Sequence, residues 1–221
     1  MSEQQSMEGL LNIGKKKPSI NEEALAYMEQ KYGEPFQYAE AWGNSMSGTH
    51  ELLVSCASLP DELILVEVRN FRKENKEFRD NYIAVKYKQE TTDFLQDCAS
   101  SVFGEANVYY EEERAGLSAD LPADASFADF MTDKNIPWVV LIEIRENNFT
   151  SEDQVEQLAK HISASGPLYY LTVVVTAQEE YGTFDRKELR TKISLGDFIR
   201  CAQVRSTGGD KQITWTERSN S

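Results

Sequence analysis

The sequence predicts an α+β protein, with an antiparallel meander and flanking helices in the first half and a βαβ-containing mixed sheet in the second. Three observations carry that prediction. Two apolar runs, 138–144 and 168–175, are rich in β-branched and aromatic residues and nearly unbroken, as strands covered on both faces require. Between them lies a helical pattern opened by Ser151-Glu152-Asp153-Gln154 and stopped by Gly166-Pro167. Earlier, three strand-like runs follow one another through short connections, the habit of antiparallel neighbours.

Taken in order, residues 1–18 are polar, with Lys15-Lys16-Lys17 before Pro18, and read as a flexible tail. Ser19-Ile20-Asn21-Glu22 fits a capping box. The helix behind it carries Leu25, Met28 and Tyr32 on one stripe and stops at Gly33. Strands are expected at 36–42, 51–57 and 62–68, joined by the turn-rich Gly43-Asn44-Ser45-Met46-Ser47-Gly48 and by Leu59-Pro60-Asp61. The charged stretch 70–80 reads as a solvated loop or exposed helical turn. Residues 82–87 alternate, with Ile83, Val85 and Tyr87 on one side, and read as a short strand. A helix then runs through Phe103 on a ridge of Phe94, Cys98 and Val102, broadened by Leu95 and Ala99, before a strand at 106–110.

Residues 111–125 are acidic and loop-like, the best boundary between a half at 19–115 and a half at 126–217. The two halves are read as able to form one continuous domain and to share one sheet, with 218–221 as a tail. Ser126-Phe127-Ala128-Asp129-Phe130-Met131 makes one or two helical turns. In the central helix Val155, Leu158, Ala159 and Ile162 form the buried stripe. A helix at 185–193, a strand at 198–204, a hairpin turn at Ser206-Thr207-Gly208-Gly209-Asp210 and an edge strand at 212–216 complete the chain.

The formal net charge is −14, so the chain as a whole repels phosphate backbones and anionic membrane surfaces. Nucleic acid is therefore not the expected partner. No apolar run approaches the roughly 18–20 residues that span a bilayer, so no membrane insertion is expected. The N-terminal residues lack an apolar signal core, which points to the cytoplasm, or to an extracytoplasmic site only if an upstream signal is missing. Cys56, Cys98 and Cys201 are widely spaced and lack Cys or His neighbours at zinc spacing, so they read as buried thiols.

The chemistry-bearing residues resolve mostly into structural roles. His50 and Cys56 stand six positions apart on one expected strand, roughly 20 Å, too far for a nucleophile–base pair. His161, near the end of the central helix, is placed to meet the helix C-terminal carbonyls. The βαβ pattern invites a dinucleotide-fold comparison, but Arg145-Glu146-Asn147-Asn148-Phe149-Thr150 has no glycine for a phosphate to approach. Asp124 followed by Glu143-Ile144-Arg145 resembles the Asp…Glu-x-Lys of restriction-type nucleases. Arginine stays protonated and cannot replace the lysine as a base, so Glu143 and Arg145 read as a sheet-face or strand-end pair. No serine elbow is present, and Glu111-Glu112-Glu113 and Glu179-Glu180 lack calcium-loop spacing. Asn148-Phe149-Thr150 forms a glycosylation sequon, which needs a secretory route to matter. Tyr109-Tyr110 and Tyr169-Tyr170 each put one tyrosine on either side of a strand, where an exposed member would anchor a partner.

The run Tyr27-Met28-Glu29-Gln30-Lys31-Tyr32-Gly33-Glu34-Pro35-Phe36, and Asp80-Asn81-Tyr82-Ile83-Ala84-Val85-Lys86-Tyr87 with the helix and Phe103-Gly104-Glu105 behind it, resemble uncharacterised small α+β proteins of low-GC Gram-positive bacteria. Some of those look like surface lipoproteins and others travel with mobile elements. The resemblance spans about residues 20–110, brings no established activity and transfers no catalytic residue. This chain shows no lipobox cysteine.

The reading that results is a non-catalytic interaction or accessory module binding a protein partner or self-associating. The alternative is a hydrolase with a carboxylate-based, metal-dependent site. No catalytic, cofactor-binding or metal-ligating residue is assigned, and no cofactor is called for. Function is expected in the loops at 43–48, 70–80 and 111–125.

Overall fold

The computed structural model describes residues 17–44, 48–112, 117–118, 121–164, 168–206 and 211–217. Residues 1–16 of the expected N-terminal tail, 45–47 of the 43–48 loop, Glu113, the Gly166-Pro167 stop, 207–210 of the 206–210 turn and the 218–221 tail lie outside them. The chain is α+β, with two sheets.

The first sheet is a four-stranded antiparallel meander in the order of the chain. It comprises β1 (Phe36–Asn44), β2 (Thr49–Cys56), β3 (Ile64–Arg69) and β4 (Glu77–Asp80). Helix α1 (Ile20–Tyr32) precedes it. As the sequence predicts, Ser19 and Glu22 close a capping box, and Gly33 ends α1 at φ 72°, a left-handed conformation that glycine enters without steric cost. Ala24 and Met28 form its buried centre, and Leu25 and Tyr32 flank them.

Two expectations for the next segment are overturned. The strand expected at 82–87 is a helical turn, α2 (Tyr82–Lys86), and the charged 70–80 stretch supplies β4 instead. The reasons are visible in the side chains. Tyr82, Ile83, Ala84 and Val85 are all buried, so the alternation of Ile83 and Val85 marks no separate buried face. Asn81 turns the chain by taking the Leu65 amide on Oδ1 at 2.7 Å and donating its own amide to the Leu65 carbonyl at 3.2 Å. In β4, Glu77 and Arg79 pair with each other on a half-exposed edge, and charge is a common way to blunt an open strand edge.

Helix α3 (Lys88–Phe103) follows and delivers the chain to the second sheet. Its buried line is Thr91, Leu95, Ala99 and Phe103, one position round from the expected Phe94–Cys98–Val102 ridge, which is half-buried at its flank.

The second sheet has the order β5 (Ala106–Tyr110), β6 (Trp138–Arg145), β7 (Tyr169–Thr176), β8 (Arg200–Ser206) and β9 (Lys211–Glu217). β6 and β7 are parallel and the other pairs antiparallel, as a βαβ unit with added hairpin strands gives. The halves therefore do not share one sheet. Helix α4 (Phe127–Thr132) leads into β6, α5 (Asp153–Ala164) joins β6 to β7, and α6 (Arg186–Leu195) joins β7 to β8. Capping boxes open α4 at Ser126/Asp129 and α6 at Asp185/Glu188. In the box expected for α5, Gln154 Oε1 accepts the amides of Thr150 and Ser151, at 2.7 and 3.3 Å.

What the halves share is a core. Met28, Leu52 and Val66 belong to the same buried cluster as Phe130, Trp138, Leu158 and Val173. Trp138 is its largest member, stacked on Phe130 with Phe94 and Tyr110 edge-on. A buried carboxylate ties α1 into this frame. Asp80 accepts from the Tyr27 and Tyr32 hydroxyls at 2.8 and 2.6 Å and from Lys31 Nζ at 2.8 Å.

Candidate functional site

The second sheet has two unlike faces. Val140, Ile142 and Ile144 of β6, Leu171, Val173 and Val175 of β7, and Ala202 and Val204 of β8 join the main core with α3 and α5. Alternate residues face the other way. There α6 packs Leu189 among Leu141, Val174, Phe198 and Cys201. A single ten-residue helix, about 15 Å long and about 10 Å wide, is too small to cover a five-stranded face. Polar ground is left at both ends of it.

At the C-terminal end of β6, Glu143 is fully buried. It accepts from Asn107 Nδ2 at 2.9 Å, Thr176 Oγ1 at 3.1 Å and the Gly182 amide at 3.2 Å. Gly182 reaches this position at φ 73°, where a side chain is strained whatever the space around it. Burial, then the Glu105 and Glu143 carboxylates, push the neighbouring Tyr181 up to about 12, and burial followed by Glu143 raises Tyr109. Arg145 lies over the Tyr181 ring at 4.6 Å and pairs with Glu105, so the expected Glu143–Arg145 pair does not form. The donors around Glu143 fix the 177–184 connection to the strand ends. Asp124 is exposed in the segment before α4.

At the other end is a cleft of about 510 Å³, within the range of ligand sites. Strand register builds it as two rows that run across the sheet. One row is Val139, Tyr170, Arg205 and Gln212, each paired with the next. The other is Leu141, Thr172, Gln203 and Thr214. Leu141 goes under α6, and the polar members line the cleft. Tyr170, Gln203, Arg205, Gln212 and Thr214 are exposed, so the cleft opens over β9, the edge of the sheet.

Two arginines define its charge. Arg205 sits over the Tyr170 ring at 5.2 Å, a cation–π contact that orients the guanidinium. Arg190 comes from α6 at the inner end. Its Nε and Nη2 donate to both oxygens of Glu111, at 2.9 and 2.6 Å, and Glu111 is 2% exposed. The Glu111 amide in turn donates to the Val139 carbonyl at 2.9 Å, so Arg190 is held beside the first row. Among the described residues Arg205 has no carboxylate partner.

The residues singled out in the sequence lie elsewhere. His50 Nε2 is 2.8 Å from Asn21 Oδ1, and Cys56 Sγ is 3.3 Å from Ser58 Oγ at the far end of β2. His161 pairs through Nδ1 with Ser101 Oγ of α3 at 3.1 Å, and not with its own helix end. Glu112 pairs with Lys88 and Glu180 with Lys192. No group of three or more His, Cys, Asp or Glu side chains able to hold a metal occurs among the described residues. No described helix is long and apolar enough to cross a membrane.

The tyrosine pairs divide as expected. Tyr169 is buried and donates to the Ala159 carbonyl, whereas Tyr170 is 41% exposed. Tyr170 is thus the one cleft residue the sequence had marked. Arg190, Gln203, Arg205, Gln212 and Thr214 were missed, because an alternating polar strand face looks the same whether it borders a cleft or open solvent. Among their described residues, the loops expected to carry function supply Glu111, which holds Arg190 in place.

No family model matches the chain, and no curated protein matches it. Among solved structures, a DUF5037 family protein from Ruminococcus gnavus matches with 11% identity and a TM-score of 0.43. The match covers 88% of this chain and 94% of that one. A likeness of this degree assigns neither family nor activity.

Proposed function

We propose that this protein is a non-catalytic interaction module, and that it holds a segment of a partner protein in the cleft on the second sheet. The observation that carries this reading is the make-up of the two rows. They offer amides, hydroxyls, a phenol and one guanidinium, with a second from Arg190 of α6, which donate and accept hydrogen bonds along a peptide. Neither row pairs a nucleophile with a base. The open side at β9 lets a bound chain continue beyond the cleft over the sheet edge.

The test is a peptide-display selection followed by NMR titration of enriched peptides. Amide resonances of Thr172, Gln203, Arg205 and Thr214 are expected to move. Binding is expected to be lost in a Gln203→Ala/Thr214→Ala double variant and kept in Leu63→Ser, an exposed position in the first half. Peptides that bind with shifts confined to other surfaces, or that bind the double variant equally well, would overturn the reading.

A further inference from the structure

The charge inside the cleft goes beyond the statement that it binds a partner. Among its lining residues the ionisable charges are the two arginines, Arg190 and Arg205, in a chain whose formal net charge is −14. Arg190 shares its charge with Glu111, and the guanidinium edge at Nη1 makes no hydrogen bond among the described residues. Among the described residues Arg205 pairs with no carboxylate, and it is held over Tyr170. Holding a guanidinium before the ligand arrives lowers the ordering cost of binding.

We infer that the cleft reads an acidic, extended peptide segment lying across β6 to β9, its carboxylates meeting Arg205 and the free edge of Arg190. The inference rests on the reading of the cleft as the partner-binding surface. Geometry fits an extended chain. From β6 to β9 is three strand spacings, about 14 Å, the length of about four extended residues. Such a segment presents alternate side chains to the sheet, and the amide and hydroxyl groups of Gln203, Gln212, Thr172 and Thr214 border its backbone. Electrostatics makes the site selective. The acidic remainder of the molecule repels an acidic peptide, so a bound one concentrates where the arginines are.

Three ten-residue peptides test this on the full chain: alternating Glu and Ser, the same with Gln for Glu, and the same with Lys for Glu. Each is titrated by NMR against wild type and Arg205→Gln, at low and high salt. Arg205 is exposed, so its substitution leaves the fold intact. The Glu peptide is expected to shift the cleft amides, and to bind roughly five- to tenfold more weakly to Arg205→Gln. Its affinity is also expected to fall as salt rises. Arg190→Lys, which keeps a cation beside Glu111, is expected to weaken binding less than Arg205→Gln. Equal binding of the Gln peptide in the cleft, or an Arg205→Gln variant that binds the Glu peptide as wild type does, overturns the acidic specificity and leaves the partner-binding cleft standing. Failure of all three peptides to shift the cleft amides overturns the acidic segment. If the display-selected peptides also bypass the cleft, the binding surface itself falls.

Discussion

Asp80 shows what a single buried carboxylate does in this molecule. It collects two tyrosine hydroxyls and the Lys31 ammonium, groups contributed by one face of α1, and so fixes the helix to β4. Asp80→Ala removes the acceptor that Tyr27, Tyr32 and Lys31 share. We expect a loss of roughly 3–5 kcal/mol in urea unfolding, with Asp80→Asn less damaging because it keeps an acceptor oxygen. Tyr32 beside it is raised well above the usual tyrosine range, by burial first and then by Asp80. Since the folded state holds that proton and the unfolded state releases it near pH 10, stability falls as pH rises above about 10. Tyrosinate absorbance should accordingly appear in part only with unfolding. His50 has the opposite sign. Burial lowers its pKa, so the unfolded chain takes up a proton, near pH 6.5, that the folded one resists. Its contribution is present above about pH 6.5 and lost as pH falls through the lower folded value. The slope of the urea midpoint between pH 7 and 5 should be flatter in His50→Gln, and an unchanged slope would remove His50 from the explanation. None of these partnerships was legible in the sequence, because Asp80 is 49 positions from Lys31 and Glu111 is 79 from Arg190.

Elements were more legible, and for a local reason. A capping box is a contact between residues three apart, so Ser19/Glu22 could be read directly from the sequence and recurs in the structure. The same chemistry at Ser126 gives a test. Ser126→Ala removes the acceptor for the Asp129 amide and should cost about 1 kcal/mol. The βαβ unit was equally clear, since two apolar runs around an amphipathic helix leave few other arrangements. Leu158→Ala, a fully buried truncation in α5, should cost about 2–5 kcal/mol by denaturant titration. The misreading at 82–87 is instructive. Alternation in six residues is weak evidence when four consecutive side chains, 82–85, turn out to be buried, and the decision was made by Asn81, whose amide and side chain both bind Leu65. Likewise the charges at 77–80 looked like a loop, although an edge strand tolerates them on its open side.

Over the whole molecule, the two sheets are separate ladders but their hydrophobic residues form one cluster. Trp138 packs against Phe94 and Tyr110 of the first half and Phe130 of the second. We therefore expect one cooperative unfolding transition, with fluorescence and circular dichroism coincident. A fragment spanning 19–115 should lack a folded baseline, and a separately melting half would contradict this. The position of the cleft is also a property of the whole. It exists because α6 is short relative to the sheet, and because Glu111, arriving from β5, sets Arg190 at its inner end.

The sequence by itself determined the fold class, the strong helix caps, the βαβ unit of the second half and the net negative charge. Each depends on periodicity, on contacts between residues a few positions apart, or on a sum over composition. Only the tertiary structure decided that the halves form two sheets over one core, that Glu143 is a satisfied buried carboxylate and not half of a Glu143–Arg145 pair, and that Tyr170 and Arg205 open onto a cleft. Those outcomes rest on which strand lies beside which and on how far one helix extends across a sheet. Contacts between residues distant in the chain settle such questions, and no local pattern records them.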